Sequence, residues 1–377
     1  MVEPKELFGK DYEEFCEVDP FNPQNQVEGF ISRKATEFYG ALLITKINNH
    51  KVPEQLIMGT PKMHYPFVSR ADGTRNYIFP SAKTIEAYVK LDGTNILSYF
   101  YFDDKSTFAT RYLTYKTRLR PFVRPGRFGD FLAMWKEVGI PYQEEIKQLM
   151  HDLNCNLSFE LYGSRNPHLI IYPNALDISL LFGVTNTGNI IPLSRIPTEI
   201  PSVNLLKTIA SDYVWNYELL QEELQAGLKQ EEDNCYSGTE GTVWYLNTPD
   251  NRCIQFKCKP DTIEAIHFSM GAGIGRNVII TTCWNAFENI DVLTVDFIKQ
   301  LLLEEFTPEK IEDKSELIEE CIYFVAREAE FRRNVIDDYR KLGMNVLLQK
   351  PEVMRAMSEK YAKKDMRKVY SIITGFA

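Results

Sequence analysis

The sequence predicts an α+β fold, with antiparallel sheets through about residue 260 and an all-α domain after it. Three observations predict this. Short runs rich in aromatic and β-branched residues recur in the first part, as in YVKLDGTNILSYFYF (88–102), LSFELYG (157–163) and CIQFKCKP (253–260). The texture then changes to helical periodicity in TVDFIKQLLLEEF (294–306), SELIEECIYFVAREAEFRRNVIDDYRKLG (315–343) and KPEVMRAMSEKYAKKDMRKVYSIITG (350–375). Finally, 377 residues with 44% hydrophobic side chains are enough for two or three packed domains. The boundaries expected are 1–70 for an N-terminal β-containing region, 71–262 for a central α+β domain and 263–377 for the helical domain.

Taken in order, GFISRKATEFYGALLITKI (29–47) alternates like strands, and HYPF and Gly-containing turns follow. DDKS (103–106) reads as the turn between two strands, the second being TFATRYLTYKT (107–117). FGDFLAMWKEVGIPYQEEIKQLMHDL (128–153) has helical spacing but is split by Pro141. ISLLFGV (178–184) is a buried strand, and SGTEGTVWYL (237–246) pairs with CIQFKCKP. GRNVIITTCWNAFENI (275–290) reads as helix core, and the glycines of MGAGIGRN (270–277) as a helix-breaking turn, since their spacing is not that of a dinucleotide-binding loop.

A net charge of −9 excludes a globally basic nucleic-acid binder, so any such partner needs a local basic groove. Seven cysteines at scattered spacings, without a CxxC pair, indicate neither a zinc ribbon nor a disulfide framework. Reduced thiols, a charged N-terminus and the lack of any run of about 18 apolar residues point to a cytoplasmic protein with no membrane partner. The five histidines are dispersed and suggest no metal site.

The chemistry centres on Lys90-Leu91-Asp92-Gly93-Thr94-Asn95. A lysine at a strand end before a glycine turn can approach a phosphorus atom in line with its leaving group. Taken alone, the same residues are also those of a surface lysine before a turn. They are followed, in order, by Phe159-Glu160-Leu161-Tyr162-Gly163, Leu181-Phe182-Gly183-Val184, Glu240-Gly241-Thr242-Val243 and Phe256-Lys257-Cys258-Lys259-Pro260. This ordered set resembles nucleotidyltransferase motifs I, III, IIIa, IV and V of the covalent ligase and capping-enzyme superfamily, over roughly residues 85–260. KLDGTN is most similar to motif I of ATP-dependent RNA ligases. The long N-terminal region and helical tail resemble the archaeal-type and phage-like layouts, and the strand pattern of an OB-fold is not evident after motif V.

The resemblance implies a role for each position. Lys90 is the nucleophile that takes AMP from ATP. Asp92 and Asn95 orient the ribose and phosphate edge, and Glu160 holds the ribose hydroxyls. Phe182 stacks on adenine, although plain core is the equal alternative. Asp92, Glu160 and Glu240 are the candidates to hold Mg2+ or Mn2+. Lys257 and Lys259 alternate on one strand and so face the α-phosphate together, unless they are simply an exposed strand edge. For the basic residue that follows motif I, both Arg111 and Arg118 qualify, with Arg118 preferred because it lies beside Lys116, Arg120, Arg124 and Arg127. That segment, YKTRLRPFVRPGRF (115–128), interleaves cations with aromatics, and is either an RNA-phosphate surface or a solvated basic loop. The implied activity is joining of RNA 5′-phosphate and 3′-hydroxyl ends. The implied alternatives are a DNA ligase, a GTP-dependent capping enzyme or a non-catalytic RNA-binding relative. The helical tail is a candidate for RNA docking or for pairing two copies of the chain.

Overall fold

The computed structural model describes residues 3–34, 36–69, 74–104, 110–125, 129–231, 235–263, 274–287, 290–303, 306 and 311–374. Part of the DDKS turn, Arg127, His267 and two glycines of MGAGIGRN lie outside the described residues. The chain is α+β and divides into two compact units. One contains residues 1–124, 132–163 and 167–263; the other contains 264–377 with the short segments 125–131 and 164–166.

After a short helix α1 (Pro4–Phe8), the first unit opens with an antiparallel sheet of β1 (Tyr12–Val18), β2 (Gln26–Ser32), β3 (Leu42–Ile47) and β4 (His50–Ile57). A two-stranded ribbon follows, β5 (Phe67–Ser69) with β6 (Arg75–Tyr77). Two larger sheets come next. They are built from β7 (Thr84–Lys90), β8 (Thr94–Phe102), β9 (Arg111–Thr117), β10 (Cys155–Tyr162), β11 (Asp177–Thr185), β12 (Ile190–Ile191) and β13 (Leu205–Ile209). The ribbon β14 (Lys229–Gln230) and β15 (Tyr236–Ser237) precedes β16 (Gly241–Asn247) and β17 (Cys253–Cys258). The five-stranded sheet runs β12-β11-β10-β8-β9, and the four-stranded one runs β13-β7-β16-β17.

One apolar cluster joins the two larger sheets: Leu97, Phe182, Val184 and Ile190 meet Tyr88, Val243, Tyr245 and Cys253. The other face of the four-stranded sheet, with Ile85, Ala87, Trp244 and Leu246, is covered by Tyr217, Leu220 and Leu224. Those three lie on a helix absent from the sequence reading. Two further helices, α2 (Phe131–Val138) and α3 (Gln143–Leu153), are separated by a 3-10 turn at Ile140–Tyr142, where Pro141 cannot donate to the helical ladder. The covering helix is α4 (Tyr213–Gly227).

Residues 1–70 do not stand apart. Phe15, Val27, Ile31 and Ile44 of the N-terminal sheet share a core with Tyr99, Tyr101 and Phe122. Both faces of that sheet are covered: Val27, Ile31, Leu42 and Ile44 meet the tyrosines of β8, while Leu43 and Phe30, on the other face, pack with Phe8 of α1.

The second unit holds α5 (Arg276–Phe287), α6 (Val295–Leu303), α7 (Ser315–Leu342), α8 (Lys350–Ser358) and α9 (Met366–Thr374). Helix α7 has 28 residues and serves two cores. Its first half packs with α5 and α6 through Ile318, Cys321 and Val325; its second half packs with α8 and α9 through Val335, Ile336 and Tyr339. All seven cysteines are free thiols. No described helix is long and apolar enough to cross a membrane.

Candidate active site

Register places the key side chains at three strand ends. Lys90, the last residue of β7, lies opposite Gly241 of β16, and Tyr88 opposite Val243. Val243 in turn lies opposite Lys257, and Thr242 opposite Cys258. Glu240 immediately precedes β16 and Lys259 immediately follows β17, so Lys90, Glu240 and Lys259 converge at one end of the sheet. Lys90 Nζ donates to Glu240 Oε2 at 2.5 Å, and Lys259 Nζ lies 2.7 Å from Glu240 Oε1. The Glu240 side chain is only 5% exposed. Burial opposes its charge, but Lys259 and then Lys90 outweigh that and hold the carboxyl well below the usual carboxylate range.

The turn after Lys90 is clamped by a second loop. Tyr172 Oη accepts the Asp92 amide at 2.7 Å, and the Ile170 amide donates to Asp92 Oδ2 at 3.0 Å. His168 Nδ1 lies 3.9 Å from Asp92 Oδ1. Burial, followed by the charge of Glu240, raises the Asp92 carboxyl, while His168 and Lys90 pull it down. The close approach at Gly93 is to the chain itself: a Cβ there would sit 2.3 Å from the Leu161 carbonyl oxygen of β10. His168 and Tyr172 were missed by sequence reasoning. The five histidines looked dispersed because the pairing of this loop with Asp92 spans nearly eighty positions, and no local spacing signals it.

Glu160 lies on β10 between Asn95 and Ser179 of the neighbouring strands. Burial pushes its carboxyl up to about 7, against the pull of Lys90, Arg118 and His168. A carboxyl raised in the folded state stabilises the protein below its unfolded value and weakens it as pH rises through the folded value. Glu160→Gln removes that ionisation. It is expected to be more stable than the parent at pH 8 by about 2 kcal/mol, taking 1.36 kcal/mol per unit and discounting for partial exposure. The gap should close towards pH 5, and urea denaturation at the two pH values reads it.

The β8–β9 register separates the two candidate arginines. Arg111 pairs with Phe102 at the far end of β8, whereas Thr117, just before Arg118, pairs with Ile96. At about 3.3 Å per residue the two arginines start about 20 Å apart along the strand. Arg118 is the one whose charge reaches Glu160. Its Nε is buried without a hydrogen-bond partner.

The other expected site residues are placed differently from one another. Asn95 is buried and bonded inward: its amide donates to Ser158 Oγ at 2.9 Å and to the Phe159 carbonyl at 3.1 Å, and Oδ1 accepts from Thr60 at 2.7 Å. Phe182 is 2% exposed and belongs to the core between the sheets, its ring edge-on to Tyr245 at 6.3 Å. Lys257 lies one row from Lys259, with its ammonium over the Tyr65 ring at 4.2 Å. The basic surface expected over 115–128 is not continuous. Lys116 is fully buried, and Arg124 lies 3.7 Å from Glu17.

Among the described residues no three His, Cys, Asp or Glu side chains converge as a metal-ligand set. Asp92, Glu160 and Glu240 therefore do not form a ready three-carboxylate site. Glu240 has both oxygens on lysines, and Asp92 accepts a backbone amide. Glu160 keeps a carboxylate available for an ion that arrives already bound to phosphate, which is the usual way magnesium is held.

No family profile and no curated protein matches the sequence. Among solved structures, the chain is similar to an archaeal ATP-dependent RNA ligase at 13% identity and a TM-score of 0.41, covering 88% of this chain and 78% of that one. A Naegleria gruberi RNA ligase with pyrophosphate is 16% identical at a TM-score of 0.32, with 50% and 52% covered. The K326A variant of a Naegleria gruberi RNA ligase with ATP and manganese is 12% identical at a TM-score of 0.32, with 69% and 80% covered.

Proposed function

We propose that this chain is an ATP-dependent RNA ligase in which Lys90 carries AMP. The observation that supports this most directly is the Lys90–Glu240–Lys259 clamp, with its amine, buried carboxylate and second ammonium, beside the Glu160 carboxyl. Lys90, Lys259 and Arg118 bring three cations to the site, against the ionised Glu240 and the Asp92 and Glu160 carboxyls that burial raises toward their neutral forms. That local charge attracts a triphosphate to a protein whose overall charge is −9. Glu240 holds the Lys90 amine at a defined position, and Lys259 and Arg118 supply cations for the phosphates.

In the first step the Lys90 amine attacks the α-phosphorus, a P–N bond forms, the bond to the β-phosphate oxygen breaks and pyrophosphate leaves. The ammonium proton passes to solvent. In the second step a 5′-phosphate oxygen of RNA attacks the same phosphorus, the P–N bond breaks and Lys90, taking a proton from solvent, leaves as the amine. In the third, a 3′-hydroxyl attacks the activated 5′-phosphate, gives its proton to solvent, and AMP leaves as the bond to its phosphate breaks. Magnesium or manganese, held with the phosphates by Glu160, would neutralise charge on the transferring groups. Asp92, fixed by Ile170 and Tyr172, keeps the turn after Lys90 in register with the nucleotide.

The test is mass spectrometry after incubation with ATP and magnesium, with GTP in parallel, followed by RNA and DNA carrying nicks or free ends. An AMP-sized increase mapped to Lys90, with joining of RNA ends, is the expected result. GMP attachment would make the chain a capping-type enzyme, and joining of DNA alone a DNA ligase. No attachment from either nucleotide would leave a non-catalytic relative.

A further inference from the structure

The turn that leaves β9 toward the site is held from behind by cations. Lys116 is 0% exposed, yet its ammonium donates to the carbonyls of Thr117 at 2.8 Å and Arg118 at 2.9 Å. Arg33, from the N-terminal sheet region, donates through Nη1 to the next carbonyl, Leu119, at 2.9 Å. Three successive carbonyls therefore point at two cationic side chains. Gly40 completes the seat. It has φ +71°, and a Cβ there would fall 2.0 Å from the Arg118 carbonyl oxygen. Burying a lysine without a carboxylate partner is costly. Arg33 and Arg118 act on Lys116 as further like charges. A hydrophobic side chain would fill the space at less cost, so the position calls for another explanation.

The register supplies one. Lys116 lies opposite Leu97, Leu97 opposite Ser158, and Ser158 opposite Phe182, so all four face the same side of the five-stranded sheet. The row beside them holds Asn95 and Glu160. Arg118 leaves β9 level with that row. With its carbonyl drawn back to Lys116, its guanidinium is left near Glu160, where Nε has no hydrogen-bond partner.

We propose that Lys116, with Arg33 and Gly40, is a positioning residue for the nucleotide site: it anchors the peptide carbonyls of residues 117–119 so that Arg118 meets the phosphates of ATP. The inference rests on the reading that ATP binds beside Lys90. The N-terminal sheet then takes part in nucleotide binding without touching the nucleotide.

A double-mutant cycle on ATP affinity, measured by calorimetry on the full chain, tests it. Lys116→Met removes both hydrogen bonds while keeping an unbranched side chain, and Arg118→Ala removes the effector. Each is expected to weaken ATP binding about 10-fold, the loss of one charged hydrogen bond. The double variant should be no weaker than Arg118→Ala alone, because Lys116 acts only through Arg118. Gly40→Ala, which removes no charge but displaces the Arg118 carbonyl and brings a methyl 3.5 Å from Lys116 Nζ, should show the same coupling if Lys116→Met fails to fold. Thermal stability is followed in parallel: a purely structural role would lower it without this coupling. A double variant about 100-fold weaker, or a Lys116→Met and a Gly40→Ala that bind ATP like the parent, would overturn the proposal, as would a parent that binds no ATP. ATP bound normally but never attached to Lys90 would instead sink only the ligase reading.

Discussion

Lys90→Ala is expected to take up no AMP, a loss of at least about 1,000-fold in labelling, because the other ammonium at this end of the sheet, Lys259, is 8% exposed against 19% for Lys90 and stays on Glu240. The loss should be confined to the first two chemical steps. Joining of RNA that already carries a 5′-adenylate needs no lysine nucleophile, only a held 3′-hydroxyl and stabilised phosphate oxygens, so that activity should survive in measurable amount. A gel assay that supplies ATP with ordinary RNA in one arm and pre-adenylated RNA in the other separates the cases. Equal loss in both arms would mean that Lys90 organises the site rather than forming a bond to phosphorus. Folding should be little affected, since the side chain is 19% exposed and Glu240 keeps its contact with Lys259.

Glu240→Ala should be damaging in two ways. Its carboxylate is the shared partner of Lys90 at 2.5 Å and Lys259 at 2.7 Å, and Lys259 is 8% exposed. Removing it leaves two ammonium groups close together and poorly hydrated, which costs about 3–5 kcal/mol for a buried pair broken on one side. It also frees the Lys90 amine to wander, so AMP attachment should fall at least about 100-fold. Glu240→Gln, which keeps the shape, tests the charge itself. A carboxyl held below its ordinary value contributes stability that is present above the unfolded value and lost as pH falls through the folded one. The gap between parent and Glu240→Gln in urea denaturation should therefore be full at pH 7 and shrink below about pH 4.5, where the unfolded carboxyl protonates. A gap that stays constant with pH would show that packing, not charge, dominates.

The gathering of Lys90, Glu160, Glu240 and Lys259 was legible because each stands in a short segment whose local form is strongly specified. Lys90 and Glu240 abut strands with clear β texture, and a carboxylate among Leu157, Phe159 and Leu161 needs a reason to be there. The helical tail was legible for the same local reason. What escaped was set by register and by long loops. Arg118 is preferred over Arg111 in the sequence on its basic neighbours alone; what separates the two is which residues of β8 and β9 face each other, a pairing that composition does not encode. Lys116 was read as surface because a lysine is almost never fully buried, and nothing nearby in the sequence offers it a carboxylate. Helix α4 was overlooked because Val214 and Trp215 point outward, blurring the single apolar stripe that marks a helix.

The first four strands also constrain what can be done with the chain as an engineering part. Asp19 is 0% exposed; Tyr101 donates to its Oδ2 at 2.9 Å and Thr114 to its Oδ1 at 2.8 Å, pinning the opening sheet to β8 and β9. A tyrosine of this kind covers about 150–250 Å² of surface, so uncovering Tyr99 and Tyr101 would forfeit about 4 kcal/mol each. A graft or chimera cut at residue 70 would therefore carry a raw apolar wall with an orphaned acid partner, and would be sticky before it was active. Interchangeable front ends are ruled out for this architecture unless they bring their own replacement for that seam.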